Sequence, residues 1–122
     1  MRILGSIIVL LALAGLVMAA QPAAGDWEGV ITIGEMKLRL ALHVTESGKG
    51  LNATFDSIDQ NAMGMPVDKI EFKEQQLTLE LASIQAVYTG TLNKAGTTIT
   101  GSWKQIGQSF PVNFQKKTST KK

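Results

Sequence analysis

The chain lacks cysteine altogether and carries a single histidine, His43, in 122 residues. Without a thiol there is no disulfide, no thiolate metal site and no residue on which a lipoprotein's acyl anchor could be built. Stability must therefore come from burial alone. One histidine is also a thin basis for catalysis. It falls on the polar side of its strand beside Arg39 and Ala41, and no serine or cysteine is marked as its partner. A strained nucleophile elbow would need Gly-x-Ser-x-Gly, and the nearest string, Gly107-Gln108-Ser109-Phe110-Pro111, lacks the closing glycine. Met63-Gly64-Met65 offers two soft thioethers, but with no cysteine and the histidine elsewhere it makes a poor copper site. The expectation is no catalytic residue, no metal and no cofactor.

What is present begins with the N-terminus. Arg2 precedes an apolar run from Ile7 to Met18, and Ala19-Ala20-Gln21 closes it with small and polar side chains. This is the order of a secretory signal, so residues 1–20 are expected to be a signal peptide, cut after Ala19 or Ala20. The alternative is an uncleaved anchor, because Ile3 to Ala20 is about 18 residues, near the lower limit for spanning a bilayer. Residues 21–25 read as a flexible leader, 26–115 as one β domain, and 116–122 as a basic flexible tail. The expected location is exported, periplasmic or secreted, with no stable membrane anchor after cleavage. From Gly25 to Gln115 seven Lys and Arg face ten Asp and Glu, so the body is mildly acidic and the overall positive charge belongs to the tail. That tail has no aromatic residue for stacking on bases, and no nucleic-acid partner is expected.

From Asp26 onward the hydrophobic period is two. Met36, Leu38, Leu40, Leu42 and Val44 alternate with Lys37, Arg39, Ala41, His43 and Thr45, which gives a strand with one apolar face. Trp27 to Ile33 precede it and Leu51 to Phe55 follow. Ile70–Phe72, Leu77–Leu81, Ile84–Leu92, Ile99–Trp103 and Phe110–Phe114 complete eight strands joined by short turns. No helical periodicity competes. Eight one-sided strands on hairpin-length connections predict a small antiparallel up-and-down β-barrel, lipocalin-like in form. A two-sheet sandwich is the alternative.

An eight-stranded interior is just wide enough to be filled by side chains or to hold one small ligand. The candidate interior and rim residues are Trp27, Leu40, Phe55, Met63, Met65, Tyr88 and Trp103. The stretch "FDSIDQNAMGMPV", residues 55–67, matches neither period and reads as a connection across one end of the barrel. In it Phe55, Met63 and Met65 turn inward, Asp56, Ser57 and Asp59 cap the local backbone, Gln60 joins them as a docking group, and Pro66 restarts the next strand. Two functions stay open: a non-catalytic accessory or interaction module, and a carrier of a small apolar ligand inside the barrel.

Gly25-Asp26-Trp27 resembles the Gly-x-Trp signature of lipocalins. A longer resemblance covers Gly25 to about Gln115. "GDWEGVI", "KLRLALHV", "LNATFDSIDQNAMGMPV", "YTGTL" and "TTITGSWKQIGQSFPVNF" together resemble the small β-domain of exported bacterial proteins that often precedes an α/β-hydrolase or other serine-hydrolase domain. That domain usually reads Asp-Ser-Pro-Asp-Gln-Gly-Ala and then Gly-x-Pro. Here Ile58 stands for the proline and Asn61 for the glycine, ahead of Gly64-Met65-Pro66. The resemblance implies an accessory, binding or folding-support role, with an exported hydrolase on a separate chain as the partner.

Overall fold

The computed structural model describes residues 22–48 and 50–117. The expected signal peptide, Gln21 and the end of the tail from residue 118 lie outside the described residues. Nine strands follow one another: β1 (Gly25–Ile33), β2 (Met36–Ser47), β3 (Gly50–Ser57), β4 (Ala62–Pro66), β5 (Lys69–Lys73), β6 (Gln76–Leu81), β7 (Ala86–Leu92), β8 (Thr98–Gln105) and β9 (Gln108–Lys116). They form one antiparallel sheet in the order β4-β3-β2-β1-β9-β8-β7-β6-β5, curled into a half-barrel. β1, β6 and β7 bury one face, as period-two alternation requires, while β2 and β3 bury successive residues at Leu40–Leu42 and Phe55–Ser57.

The count is nine rather than eight because the expected loop at 55–67 is largely ordered against its neighbours. Phe55 and Ser57 still belong to β3. Ile58–Gln60 form a single 3-10 turn ended by Asn61 in the left-handed region, and β4 then runs back along β3 with Met65 opposite Phe55 and Ala62 opposite Ser57. Pro66 does not restart a strand; it ends β4, opposite Thr54, where its missing N–H breaks no ladder. A second turn of the same kind, Ala82–Ile84, joins β6 to β7, so Ile84 sits in a turn and β7 begins at Ala86.

Only Val67 and Asp68 separate β4 from β5. The Val67 N–H donates to the Ala53 carbonyl of β3 and the Asp68 N–H to the Glu80 carbonyl of β6. The chain thus steps from one edge of the sheet to the other in two residues.

The antiparallel order sets the connections β1–β2, β3–β4, β6–β7 and β8–β9 at one end and β2–β3, β5–β6 and β7–β8 at the other. The second end is filled. Trp27, Leu42, Leu77, Ile99 and Phe114 have no solvent exposure there, and the Tyr88 ring meets Phe114 edge-on at 5.2 Å. The leader contributes instead of hanging free: Ala23 is buried, and its carbonyl accepts the Trp27 indole N–H at 3.0 Å. A flexible leader through residue 25 is thus corrected, because the indole needs a partner for its polar edge and Gly25 already belongs to β1. The tail starts later than residue 116 for a similar reason. Lys116 ends β9 with its ammonium 5.5 Å from the Trp27 ring centre, and the Lys117 N–H donates to Asp26.

Candidate functional site

The end that carries the β1–β2 and β8–β9 turns stays open. A cleft of about 280 Å³ lies inside it, lined by Ile31, Ile33, Leu38, Leu40, Phe55, Ser57, Gln60, Ala62, Met65, Ile84, Trp103 and Gln105. The back wall is aromatic: Phe55 stacks on Trp103 at 4.9 Å, an offset arrangement that packs two large apolar faces without filling the space before them. Among the described residues no charged side chain lines it. The polar groups present are largely occupied. Gln105 accepts the Trp103 indole N–H at 3.0 Å and donates to the Ile84 carbonyl at 2.9 Å, and the Ser57 hydroxyl donates to Gln60 at 2.7 Å. The lining therefore favours an uncharged guest whose main interaction is burial.

Of the seven interior and rim candidates, Leu40, Phe55, Met65 and Trp103 meet here. Trp27 and Tyr88 do not line it; both are fully buried, although Tyr88 sits behind the wall, paired with Trp103 with their ring centres 6.5 Å apart. Met63, expected to turn inward, is 58% exposed. Its neighbour Gly64 takes a φ of 68°, which interrupts the alternation and leaves Met65, not Met63, facing in.

A larger, more open depression of about 710 Å³ lies on the outer face, where β1 pairs with β9 only from Trp27 to Gly29. Glu28, Arg39, Asn113 and Gln115 line it alongside Val30 and Pro111. It is shallow and mixed in character, and we take the enclosed apolar cleft as the candidate site.

The polar residues of the 55–61 segment do other work. Asp56 does cap local backbone: its Oδ1 accepts the Gly64 N–H at 2.7 Å and so fixes the bend in β4. Asp59 does not. It reaches back to β2, where its carboxylate takes the Arg39 backbone N–H at 2.7 Å and pairs with the guanidinium, also at 2.7 Å. Ser57 bonds the Gln60 side chain and not the backbone. The Arg39 pairing holds the Asp59 carboxyl below its ordinary range.

His43 is more engaged than its sequence context suggests. Its Nδ1 lies 2.8 Å from Asp26 Oδ1 on β1, and its Nε2 lies 2.8 Å from Asp56 Oδ2 on β3. A neutral imidazole has one donor and one acceptor, so only the imidazolium donates to both carboxylates. The hydrogen bonds to Asp26 and then Asp56 raise the His43 pKa. Burial alone would push the Asp56 carboxyl up, but the Gly64 N–H and the His43 ring together hold it below its ordinary value. This row was invisible in sequence because Asp26, His43 and Asp56 become neighbours only through strand register. The grouping has both ring nitrogens occupied and no nucleophile bonded to it. Among the described residues no group of three or more His, Cys, Asp or Glu side chains is placed to hold a metal ion.

No protein-family model, no curated protein and no solved structure matches the chain.

Proposed function

We propose that this protein is a non-catalytic, exported binding module whose open end takes one small, uncharged apolar group. The observation that carries this reading is the contrast between the two ends, one packed solid and the other holding a charge-free cleft walled by Phe55, Trp103, Leu40 and Met65. A volume of about 280 Å³ suits a single ring or a short branched chain. The curl closes into a barrel across the Val67–Asp68 junction, and the two backbone bonds made there to β3 and β6 support that closure. In this reading β4 and β5 act as one strand that changes partner halfway, giving an eight-stranded lipocalin-like barrel.

The interaction-module reading uses the same site: an apolar side chain of a partner is a guest of the right size. The resemblance at Gly25–Gln115 supports an exported hydrolase on a separate chain as that partner, and the apolar run ahead of Gln21 supports export.

The test is titration with N-phenyl-1-naphthylamine, a neutral apolar dye, read by tryptophan fluorescence. Trp103 lines the cleft and Trp27 is sealed at the far end, so binding should quench Trp103 emission while a Trp103→Phe variant reports little change. Met65→Asp should weaken dye binding at least about tenfold by placing a charge in an apolar wall. Dye affinity unchanged by Met65→Asp would sink the cleft as the site.

A further inference from the structure

The wall that β4 gives the cleft depends on an irregularity. Ala62 and Met65 are three residues apart, so unbroken alternation would turn them to opposite faces. Both nevertheless line the cleft. A β-bulge reconciles them: Met63 and Gly64 together stand opposite Asp56 alone, between the pairs Ser57–Ala62 and Phe55–Met65. Gly64 takes the left-handed φ of 68° at this bend, and its N–H donates to Asp56 Oδ1 at 2.7 Å. Asp56 thereby holds two cleft-lining residues on one side of the strand.

The Asp56 carboxylate has only 10% of its side chain exposed, so its charge needs compensation. His43 supplies it, with Nε2 2.8 Å from Asp56 Oδ2 and Nδ1 2.8 Å from Asp26 Oδ1. The other charged groups around this outer face are Asp26 and Glu28 on β1, Lys37 and Arg39 on β2, Asp59 in the 3-10 turn and Lys117 after β9. Glu28 pairs with Lys117 at 3.3 Å and Arg39 with Asp59, while Lys37 lies six residues away along β2. Glu46 alternates to the opposite face of β2, and β4 carries no charged residue. Among the described residues, the cation that meets Asp56 is His43.

A neutral imidazole donates through one nitrogen only, so loss of the ring proton takes a hydrogen bond from one of the two carboxylates. Asp26 is 62% exposed and can turn to water. Asp56 cannot do so without leaving the bulge. Even where the ring keeps its bond to Asp56, the buried carboxylate loses its counter-charge. Gly64 is exposed, so water can replace the carboxylate at its N–H once Asp56 moves.

We propose that His43 is a pH-dependent lock on the cleft: the imidazolium holds Asp56, Asp56 holds the β4 bulge, and loss of the ring proton loosens the wall and weakens its grip on an apolar guest. The inference rests on the cleft being the binding site. Its sign follows from the ring. The hydrogen bonds to Asp26 and Asp56 raise the His43 pKa above the ordinary 6.5, so the grip is complete below 6.5 and is lost as pH rises through the raised value.

The test is titration with the same neutral dye, whose arylamine does not ionise in this range, from about pH 5 to about pH 9. Affinity should be level on the acid side and fall at least about threefold on the alkaline side. His43 is the only histidine in the chain, so its ring proton resonances report its titration directly. Linkage is reciprocal: a threefold ratio of affinities requires the ring's midpoint to rise by about half a pH unit when dye saturates the cleft. Asp26→Asn, at an exposed position, removes one counter-charge and should move the ring midpoint and the affinity transition together, downward toward 6.5. His43→Gln should bind dye with an affinity that does not change with pH. A ring with a merely structural role would move neither transition, and circular dichroism at each pH checks the fold. Affinity that stays level while the ring titrates, or a ring midpoint that ignores the dye, overturns this inference and leaves the cleft standing. Dye that binds at no pH overturns the cleft and this inference with it.

Discussion

Tyr88 reaches its partner only because two glycines stand aside for it. Its hydroxyl donates to the Val112 carbonyl at 2.7 Å, and a Cβ at Gly90 or Gly101, which face each other across β7 and β8, would come within 2.7 Å of that oxygen. Burial raises the Tyr88 pKa, so the phenol stays a donor. Tyr88→Phe removes the bond and leaves a buried carbonyl unpaired; urea unfolding should show a loss of about 1–2 kcal/mol. Gly101→Ala should cost more, about 3 kcal/mol, because the new methyl also meets β7 backbone. His43 makes a different prediction. Its raised pKa means that its contribution is complete below 6.5, the ordinary value, and is lost as pH rises through the folded-state value. Asp56 has the opposite sign: its contribution holds above 3.8 and fades as pH falls through its depressed value. Stability should therefore decline on both sides of a weakly acidic plateau. His43→Gln should flatten the alkaline side by no more than about 1 kcal/mol, since the ring is partly solvated. Unchanged pH dependence in that variant would remove the imidazolium from the account.

Among the elements, the β8–β9 turn holds strain that one substitution can relieve. Ile106→Asn should relax the left-handed backbone and stabilise the fold by about 1 kcal/mol, seen as a higher Tm. Gly64→Ala should destabilise by about 1 kcal/mol at a φ of 68°, although open space surrounds the position. These two turns also show what sequence could and could not reveal. Every long strand was legible, because Leu38 to Val44 or Leu77 to Leu81 alternate without interruption and one face must be buried. β4 was not legible: five residues with a left-handed glycine in the middle and a proline at the end give no period to count. The cleft was legible in part, through Leu40, Phe55 and Trp103, whose parity aims them inward, and through Met65, an apolar residue of the 55–67 stretch. Trp27 and Tyr88 have the same parity, and Tyr88 is even level with Trp103 across β7 and β8, but neighbouring side chains seal both rings from the space, a packing outcome that alternation does not encode. The Asp26–His43–Asp56 row was illegible because it is made by neighbours on three different strands, which register alone brings together.

For the molecule as a whole, the two ends should be separable by mutation. At the filled end Leu42 is fully buried beside Trp27, its partner across β1 and β2. Leu42→Ala should cost about 2–5 kcal/mol through lost transfer energy and a residual cavity, and should leave dye affinity intact in the protein that remains folded. At the open end Ala62 lines the cleft from β4 and is only partly covered. Ala62→Leu adds apolar volume to a space that already exists, so it should fill the cleft without overpacking the core and leave stability equal or slightly higher. It should also exclude the dye. That combination follows only if burial at one end carries the fold and open apolar surface at the other carries binding. A loss of stability in Ala62→Leu equal to that of Leu42→Ala would mean that the cleft is part of the packed core.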